Sequence, residues 1–294
     1  MNYKDCILCG RNCHINRDKI KGPCGADKRI IVARAALHYY EEPIISGING
    51  SGTVFFSNCN LKCIFCQNRK ISSNGIGKEI TIERLSDIYL ELQNKRAHNI
   101  NLVTPTHYIP SIIESIKLAK NKGLNIPIVY NTSSYENTDA LKELNGLVDI
   151  YLADLKYYNN DLGKKYSKVD NYFEIASNNL KEMFMQVGKP IINDNIMKKG
   201  IIVRVLVLPG EIEDAKKIIK YLYDTYEDNI YISIMNQFTP ITKTKYDNLN
   251  RVLTKKEYNN VINYAIDLGI SKAFVQEGKT SSKSFIPDFN FEGV

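Results

Sequence analysis

Thr53-Val-Phe-Phe-Ser57 runs straight into Asn58-Cys59-Asn-Leu-Lys-Cys63-Ile-Phe-Cys66, so an apolar strand pattern is followed at once by three thiols within eight residues. A β-branched and aromatic run without polar alternation is expected when both faces of a strand are buried, as in a parallel sheet covered by helices. Downstream the same kind of run recurs at Ile100–Thr104, Ile126–Tyr130, Val148–Ala153, Ile201–Leu208 and Ile230–Met235, with a seventh candidate at Ala273–Gln276 ahead of a polar tail. Helical patterns fill the gaps: Ile82–Lys95, Ser111–Asn121, Asp139–Leu144, Tyr172–Gln186, Ile212–Tyr226 and Lys255–Leu268. Gly123 and Gly269 suit C-terminal caps, and Thr254-Lys-Lys-Glu257 matches a capping box. Asn159–Asp170 reads as a polar, mobile loop. Repeated strand–helix order with right-handed crossovers predicts an α/β fold, a full or partial (β/α) barrel of six strands or so, whose chemistry sits at the C-terminal strand ends. Residues 1–50 do not follow the alternation and read as a cysteine-rich extension. Residues 51–294 read as the barrel domain with its tail.

The chain has 294 residues and seven cysteines, all within the first 66. With 44% hydrophobic and 24% charged residues, it is neither a disordered, a fibrous nor a disulfide-scaffold sequence. No stretch approaches the roughly 18 apolar residues of a membrane span, and Met-Asn-Tyr-Lys-Asp-Cys has no apolar signal region, so a cytoplasmic location is expected. Disulfides rarely persist there, and an odd number of cysteines cannot pair completely, which points to metal binding or catalysis. The net charge of +7 is spread among acidic residues. No basic block with interleaved aromatics marks a nucleic-acid surface, so neither nucleic acid nor membrane is expected as a partner.

Thiolates bind zinc and iron–sulfur clusters. With spacings of three and then two residues, one short loop can supply three corners of a cubane and leave the fourth iron without a local protein ligand. An open coordination position can hold a substrate or cosubstrate. A zinc site completed elsewhere, or three buried free cysteines, are the competing readings. Zinc motifs usually come as two separated pairs, and free cysteines have no reason to crowd one loop.

The C-x3-C-x-Φ-C pattern, with Phe65 before its last cysteine, resembles the signature of the radical S-adenosylmethionine (SAM) superfamily. The resemblance implies a radical SAM barrel with a [4Fe-4S] cluster on Cys59, Cys63 and Cys66, whose fourth iron is chelated by SAM. It also implies a 5′-deoxyadenosyl radical that abstracts hydrogen, Phe65 beside the cofactor, and a low-potential electron donor of flavodoxin or ferredoxin type. From about Gly52 to Pro240 the sequence resembles pyruvate formate-lyase activating enzyme and its uncharacterised homologues. Gln67-Asn68 is similar to a family His-Asn, and Tyr130-Asn131-Thr132-Ser133 stands where the family has Asp-Thr-Asn. Asp154-Leu155-Lys156 resembles an Asp-x-Lys whose lysine contacts the SAM carboxylate and whose aspartate lies near a cation site. Arg204 through Pro209-Gly210 resembles Arg-x3-Val-Pro-Gly.

A methionine carboxylate needs a cation, which Lys156 at a strand end can supply. Asp154 ending an apolar strand is costly unless paired or cation-bound. A salt bridge at the barrel rim explains both residues equally simply. Arg204, inside an apolar strand, is either a SAM or substrate contact or the buried partner of an acid. The family's Gly-Gly-Glu after strand two is absent. Val103-Thr104-Pro105-Thr106-His107-Tyr108 stands there, and Thr104, Thr106 or His107 can accept from an ammonium in its place. His107 can also serve the substrate or be an ordinary loop histidine. Asn236-Gln237-Phe238 lacks a histidine found nearby in the activating enzyme. By resemblance the substrate is a glycine backbone of a partner protein, another peptide or a small molecule. A reading from a different class is a non-catalytic, zinc-binding adaptor.

Cys6-x2-Cys9-x3-Cys13-x10-Cys24 brings four more thiols, with Gly10, Gly22, Pro23 and Gly25 providing turns. Four soft ligands can close a second [4Fe-4S] cluster or a structural Zn²⁺, and His14 can replace one of them. An electron-relaying cluster and a zinc knuckle both remain open at this point.

Overall fold

The computed structural model describes residues 2–276 and 287–294. Its first elements are β1 (Ile30–His38), α1 (Pro43–Ser46), β2 (Ser51–Phe56), α2 (Arg69–Ser72), β3 (Lys78–Ile80) and α3 (Ile82–Asn94). The middle of the chain forms β4 (Ile100–Val103), α4 (Ile109–Asn121), β5 (Ile128–Thr132), α5 (Thr138–Lys142), β6 (Ile150–Asp154), α6 (Asn160–Ser167) and α7 (Tyr172–Val187). Then come β7 (Ile191–Asn193), β8 (Ile196–Leu206), α8 (Ile212–Tyr226), β9 (Tyr231–Met235), α9 (Lys255–Asp267) and β10 (Ala273–Val275).

One sheet runs in the order β10-β9-β8-β6-β5-β4-β2-β1-β3, with β7 beside β8. Along the path β2-β4-β5-β6-β8-β9-β10 each pairing is parallel. β1 runs antiparallel to β2 and to β3, and β7 antiparallel to β8. Among the described residues β10 and β2 do not pair, so the barrel is partial and open, as the strand–helix order allows. All seven expected strands and all six expected helices are present.

Side-chain alternation explains why the strands read as apolar throughout. Val54, Leu102, Tyr130, Tyr151, Val203 and Ile234 point outward into the core beneath the helices. The opposite face holds Val129, Ile150, Leu152 and Ile202, and Ile45 of α1 packs into it with none of its surface exposed. Burying such a side chain is worth about 1.5–3 kcal/mol, so α1 closes the inner face from below. Above that layer the inner residues turn polar: Asn101, Asn131, Asp154, Arg204 and Ser233.

Two readings of the sequence are corrected. Asn159–Asp170 is largely the helix α6, capped by the Asn159 side chain accepting from the Asp161 amide at 2.9 Å. Asp161, Lys164 and Lys165 form its solvent face, while Leu162 and Tyr166 are buried. Within residues 1–50, Ile30–His38 joins the main sheet as β1. Its three alanines and its arginine dilute the strand signal, because alanine has low β-propensity. Along the same β1 edge, the Ala35 amide donates to Glu292 O at 2.8 Å and the Phe291 amide to Ala33 O at 3.1 Å. Of the polar tail, residues 277–286 lie outside the described residues. The capping box at Thr254–Glu257 forms as expected. No helix among the described residues is long and apolar enough to cross a membrane.

Candidate active site

The C-terminal ends of the parallel strands surround a cavity of about 390 Å³, within the usual range for small-molecule sites of roughly 300–1,000 Å³. The loop after β2 brings Cys59, Cys63, Phe65 and Cys66 to it, β4 ends there in Thr104, and β5 contributes Asn131. Asp154 and Lys156 enter from the end of β6, and Arg204 from β8. These residues lie far apart in sequence. Parallel pairing puts them side by side, with Asp154 opposite Arg204 and Arg204 opposite Ser233 in register.

The cysteine loop bends through left-handed backbone at Asn58 and Lys62, and the Cys66 amide donates to Cys63 O at 3.1 Å. Two serine hydroxyls reach its sulfurs: Ser167 Oγ donates to Cys63 Sγ at 3.0 Å and Ser72 Oγ to Cys66 Sγ at 3.3 Å. Tyr157 Oη lies 2.7 Å from Ser167 Oγ, which fixes that hydroxyl in turn. Burial pushes the metal-free Cys59 thiol up to about 12, and the negative charge of Cys63 and Cys66 adds to it. Metal coordination reverses this by holding thiolates outright. Among the described residues no three Cys, His, Asp or Glu side chains converge as a single metal ion requires. Three thiols on one cavity wall, with hydroxyls donating to two of the sulfurs, fit a cluster whose irons each take one thiolate.

Lys156 Nζ pairs with Asp154 Oδ2 at 2.5 Å, both side chains mostly buried. Burial works against the ammonium, but the Asp154 carboxylate and the Cys63 and Cys66 sulfurs outweigh it and hold Lys156 above the usual lysine range. A cation therefore faces the cavity beside the thiols. Arg204 is a buried partner of acids: Nε donates to Glu42 Oε1 at 2.8 Å, and a terminal nitrogen donates to Glu42 Oε2 at 2.6 Å and to Glu41 Oε2. Asn101 Nδ2 donates to Glu41 Oε1 at 2.9 Å. Burial tends to raise the Glu42 carboxyl, yet the guanidinium holds it below the usual carboxylate range. Two carboxylates share one guanidinium, so this layer carries excess negative charge.

Of the three residues at the end of β4, Thr104 alone lines the cavity. It has φ +59°, a left-handed conformation that costs a β-branched residue strain, and its amide donates to Asn131 O at 2.9 Å. The chain thus keeps a glycine-like turn without a glycine. Thr106 is buried, its hydroxyl donating to Glu136 Oε1 at 2.6 Å. His107 is buried as well, with Nε2 2.8 Å from Ser57 O, and burial together with Arg17 lowers it to about 3, so the ring is neutral. Neither residue reaches the cavity. Phe65 does, with its ring against Tyr166 and Phe238.

Cys6, Cys9 and Cys24 are buried and Cys13 is half-buried. Burial pushes Cys9 up to about 12, with smaller contributions from Cys24, Cys6 and Cys13. His14 points away to an exposed pair with Asp5 at 3.0 Å.

Glu41, Glu42, Ser72 and Ser167 were not singled out from the sequence. The two glutamates had a usable signal, since an arginine in an apolar strand requires an acid and Glu41-Glu42 is a carboxylate pair just before Pro43. The serines had none, because nothing in the sequence places α6 against the cysteine loop.

The Radical SAM superfamily model matches residues 53–222. An uncharacterised protein of Methanocaldococcus jannaschii is 31% identical over 90% of this chain and 75% of its own length. The pyruvate formate-lyase 1-activating enzyme of Escherichia coli K12 is 21% identical over 54% of this chain and 62% of its own. Among solved structures, a domain of the pyruvate-formate lyase-activating enzyme from Bacteroides vulgatus has a TM-score of 0.42 and 15% identity, covering 58% of this chain and 92% of that one. With the family model covering more than half of its length, the cysteine loop included, the chain belongs to the radical SAM superfamily.

Proposed function

We propose that this protein is a radical SAM enzyme with a [4Fe-4S] cluster on Cys59, Cys63 and Cys66, SAM in the adjoining cavity, and a glycine backbone of a partner protein as the source of the abstracted hydrogen. The observation that carries the reading is the meeting of three thiols and the Lys156–Asp154 pair in one cavity at the strand ends. When bound, cluster and SAM supply a 5′-deoxyadenosyl radical that takes hydrogen from an unactivated C–H bond. The residues of the chain position and shield. Lys156 binds the methionine carboxylate while Asp154 orients its ammonium, as a desolvated, charge-assisted contact. Asn131 and the strained Thr104 offer oxygens to the amino group or ribose, and Phe65 offers a ring face to the adenine. Ser167 and Ser72 hold the ligating sulfurs. Likeness to the activating enzyme over about half of the chain supports a protein substrate. A cationic peptide or small molecule is the second reading, favoured by the excess carboxylate of Glu41 and Glu42 around Arg204.

Anaerobic reconstitution followed by electron paramagnetic resonance tests the proposal. The reduced protein is expected to show a [4Fe-4S]¹⁺ signal that changes when SAM is added, and Cys63→Ala is expected to abolish 5′-deoxyadenosine formation. A signal indifferent to SAM, or zinc in place of iron at this loop, would overturn it in favour of an adaptor. A glycyl radical formed on a co-incubated partner supports the first substrate reading, and hydrogen loss from a basic peptide the second.

A further inference from the structure

Beside the N-terminal thiols lies a charge that no acid among the described residues balances. Arg17 has none of its surface exposed. Its guanidinium donates to Ala26 O at 3.2 Å, to His107 O at 2.5 Å and to Asp27 O, and it lies over the Tyr3 ring at 5.0 Å. Those partners are neutral, and among the described residues no carboxylate lies within ion-pair distance of it. An uncompensated buried charge costs several kcal/mol. The anionic candidate beside it is a sulfur: Arg17 donates toward Cys6 Sγ at 3.9 Å. Free thiols are neutral, whereas thiolates on a metal centre are deprotonated outright and carry the balancing charge.

The same segment is joined to the first cysteine loop. The Cys59 amide donates to Cys24 O at 3.4 Å, so a residue of one thiol set is hydrogen-bonded to a residue of the other. Arg11 ties the two loops further, donating to Asn60 O and to Leu61 O at 3.4 Å, and to Ser167 O and Lys168 O at 3.3 Å. On the far side the Gly10 amide donates to Tyr135 O at 3.1 Å and the Asn137 amide to Leu8 O at 3.1 Å. The segment is thereby docked on the barrel beside the active cavity. Zinc has no redox chemistry, and a purely structural centre gains nothing from abutting a redox site.

We propose that Cys6, Cys9, Cys13 and Cys24 hold a second [4Fe-4S] cluster, in electron-transfer contact with the first through the Cys24–Cys59 hydrogen bond. A low-potential one-electron donor protein of the ferredoxin or flavodoxin kind is oxidised as the outer cluster passes from the 2+ to the 1+ state. The outer cluster returns to 2+ when the inner one is reduced, and no atom is transferred. The relay rests on the inner site being a reducible cluster, as proposed above; the metal content of the outer site does not.

The test compares full-length protein reconstituted anaerobically with iron, sulfide and zinc together, as wild type, as Cys59→Ala/Cys63→Ala/Cys66→Ala and as Cys9→Ala/Cys13→Ala. Iron is expected to fall from about eight per chain to about four in each variant, and the triple variant to keep a reducible [4Fe-4S] signal. Because the triple variant leaves the N-terminal segment untouched, it decides the outer site even if the double variant does not fold. Zinc without iron in the triple variant overturns the proposal. Iron in the triple variant but none in a folded double variant supports the outer cluster while removing the inner reading and the relay with it. In the fully reduced wild type the resonance is expected to be split or broadened by coupling between neighbouring spins. A spectrum equal to the plain sum of the two variants overturns the electron-transfer contact.

Discussion

Arg204 holds Glu42 with two donors at once, Nε to Oε1 at 2.8 Å and a terminal nitrogen to Oε2 at 2.6 Å, in the floor of the cavity. Breaking a buried pair by removing one partner typically costs about 3–5 kcal/mol, because the other charge stays buried alone. Arg204→Met is expected to lower unfolding stability by that amount, measured by urea titration under anaerobic conditions. Adding Glu41→Gln and Glu42→Gln to the same chain should restore most of the loss. A single variant as stable as wild type would show that the pair is not desolvated in solution.

Lys156 lines the cavity together with the thiols and offers a cation that a bound carboxylate can use. A hydrogen bond to a charged group is worth about 1.5–3 kcal/mol, so Lys156→Met should weaken SAM binding by roughly 10- to 150-fold. Iron content should not change. Following the SAM-dependent resonance change against SAM concentration measures this, and an unaltered midpoint would remove Lys156 from the site.

Hydroxyl donors to ligating sulfurs stabilise the more negative, reduced cluster. Ser167→Ala and Ser72→Ala are each expected to lower its midpoint potential, by on the order of tens of millivolts. A redox titration monitored by resonance reads the shift. An upward shift in either variant would contradict the donor geometry at that sulfur.

Thr104 carries left-handed strain of about 1–3 kcal/mol, and glycine would relieve it at an entropic cost of about 0.5–1 kcal/mol. Thr104→Gly should therefore unfold at the wild-type temperature or slightly above, while Thr104→Val should not gain. If the hydroxyl contacts SAM, both variants weaken its binding alike. A glycine variant that melts well below wild type would show that the turn is not strained.

His107 stays neutral in the fold, with its group lowered from about 6.5 to about 3 by burial and by the Arg17 and Lys62 charges around it. An unfolded chain takes up a proton there below about pH 6.5, whereas the folded chain does not. Stability from this group is therefore intact above that pH and is lost progressively as pH falls toward about 3. Between pH 6.5 and 5 the wild type should lose up to about 2 kcal/mol more than His107→Gln. Parallel slopes in the two unfolding series would mean that the ring is accessible.

The sequence disclosed most where local chemistry and global position coincide. Thr53 to Cys66 contains both a buried strand and the ligands at its end, so fold and candidate site could be read from one stretch. Lys156 and Asp154 were legible for the same reason, as charges terminating an apolar run. Thr106 and His107 were indistinguishable from Thr104 in the sequence, because which residue of the loop faces inward is set by a left-handed turn at a threonine, where glycine is the usual marker. β1 was hidden because its alanines resemble helix as much as strand, and its partners are tertiary. Ser167 and Glu42 were hidden because their roles arise only when distant segments dock.

The pairing of Phe291 and Glu292 with Ala33 and Ala35 has a consequence for how the chain reaches its final form. One flank of β1 is shared between β3 and a segment from the other end of the sequence, and contacts between such distant segments form late because closing so long a loop is entropically unfavourable. Until then a row of strand amides and carbonyls is free to pair with another molecule. Losses to aggregation during expression should accordingly respond to changes around residue 291, even though those residues lie outside the wall of the active cavity.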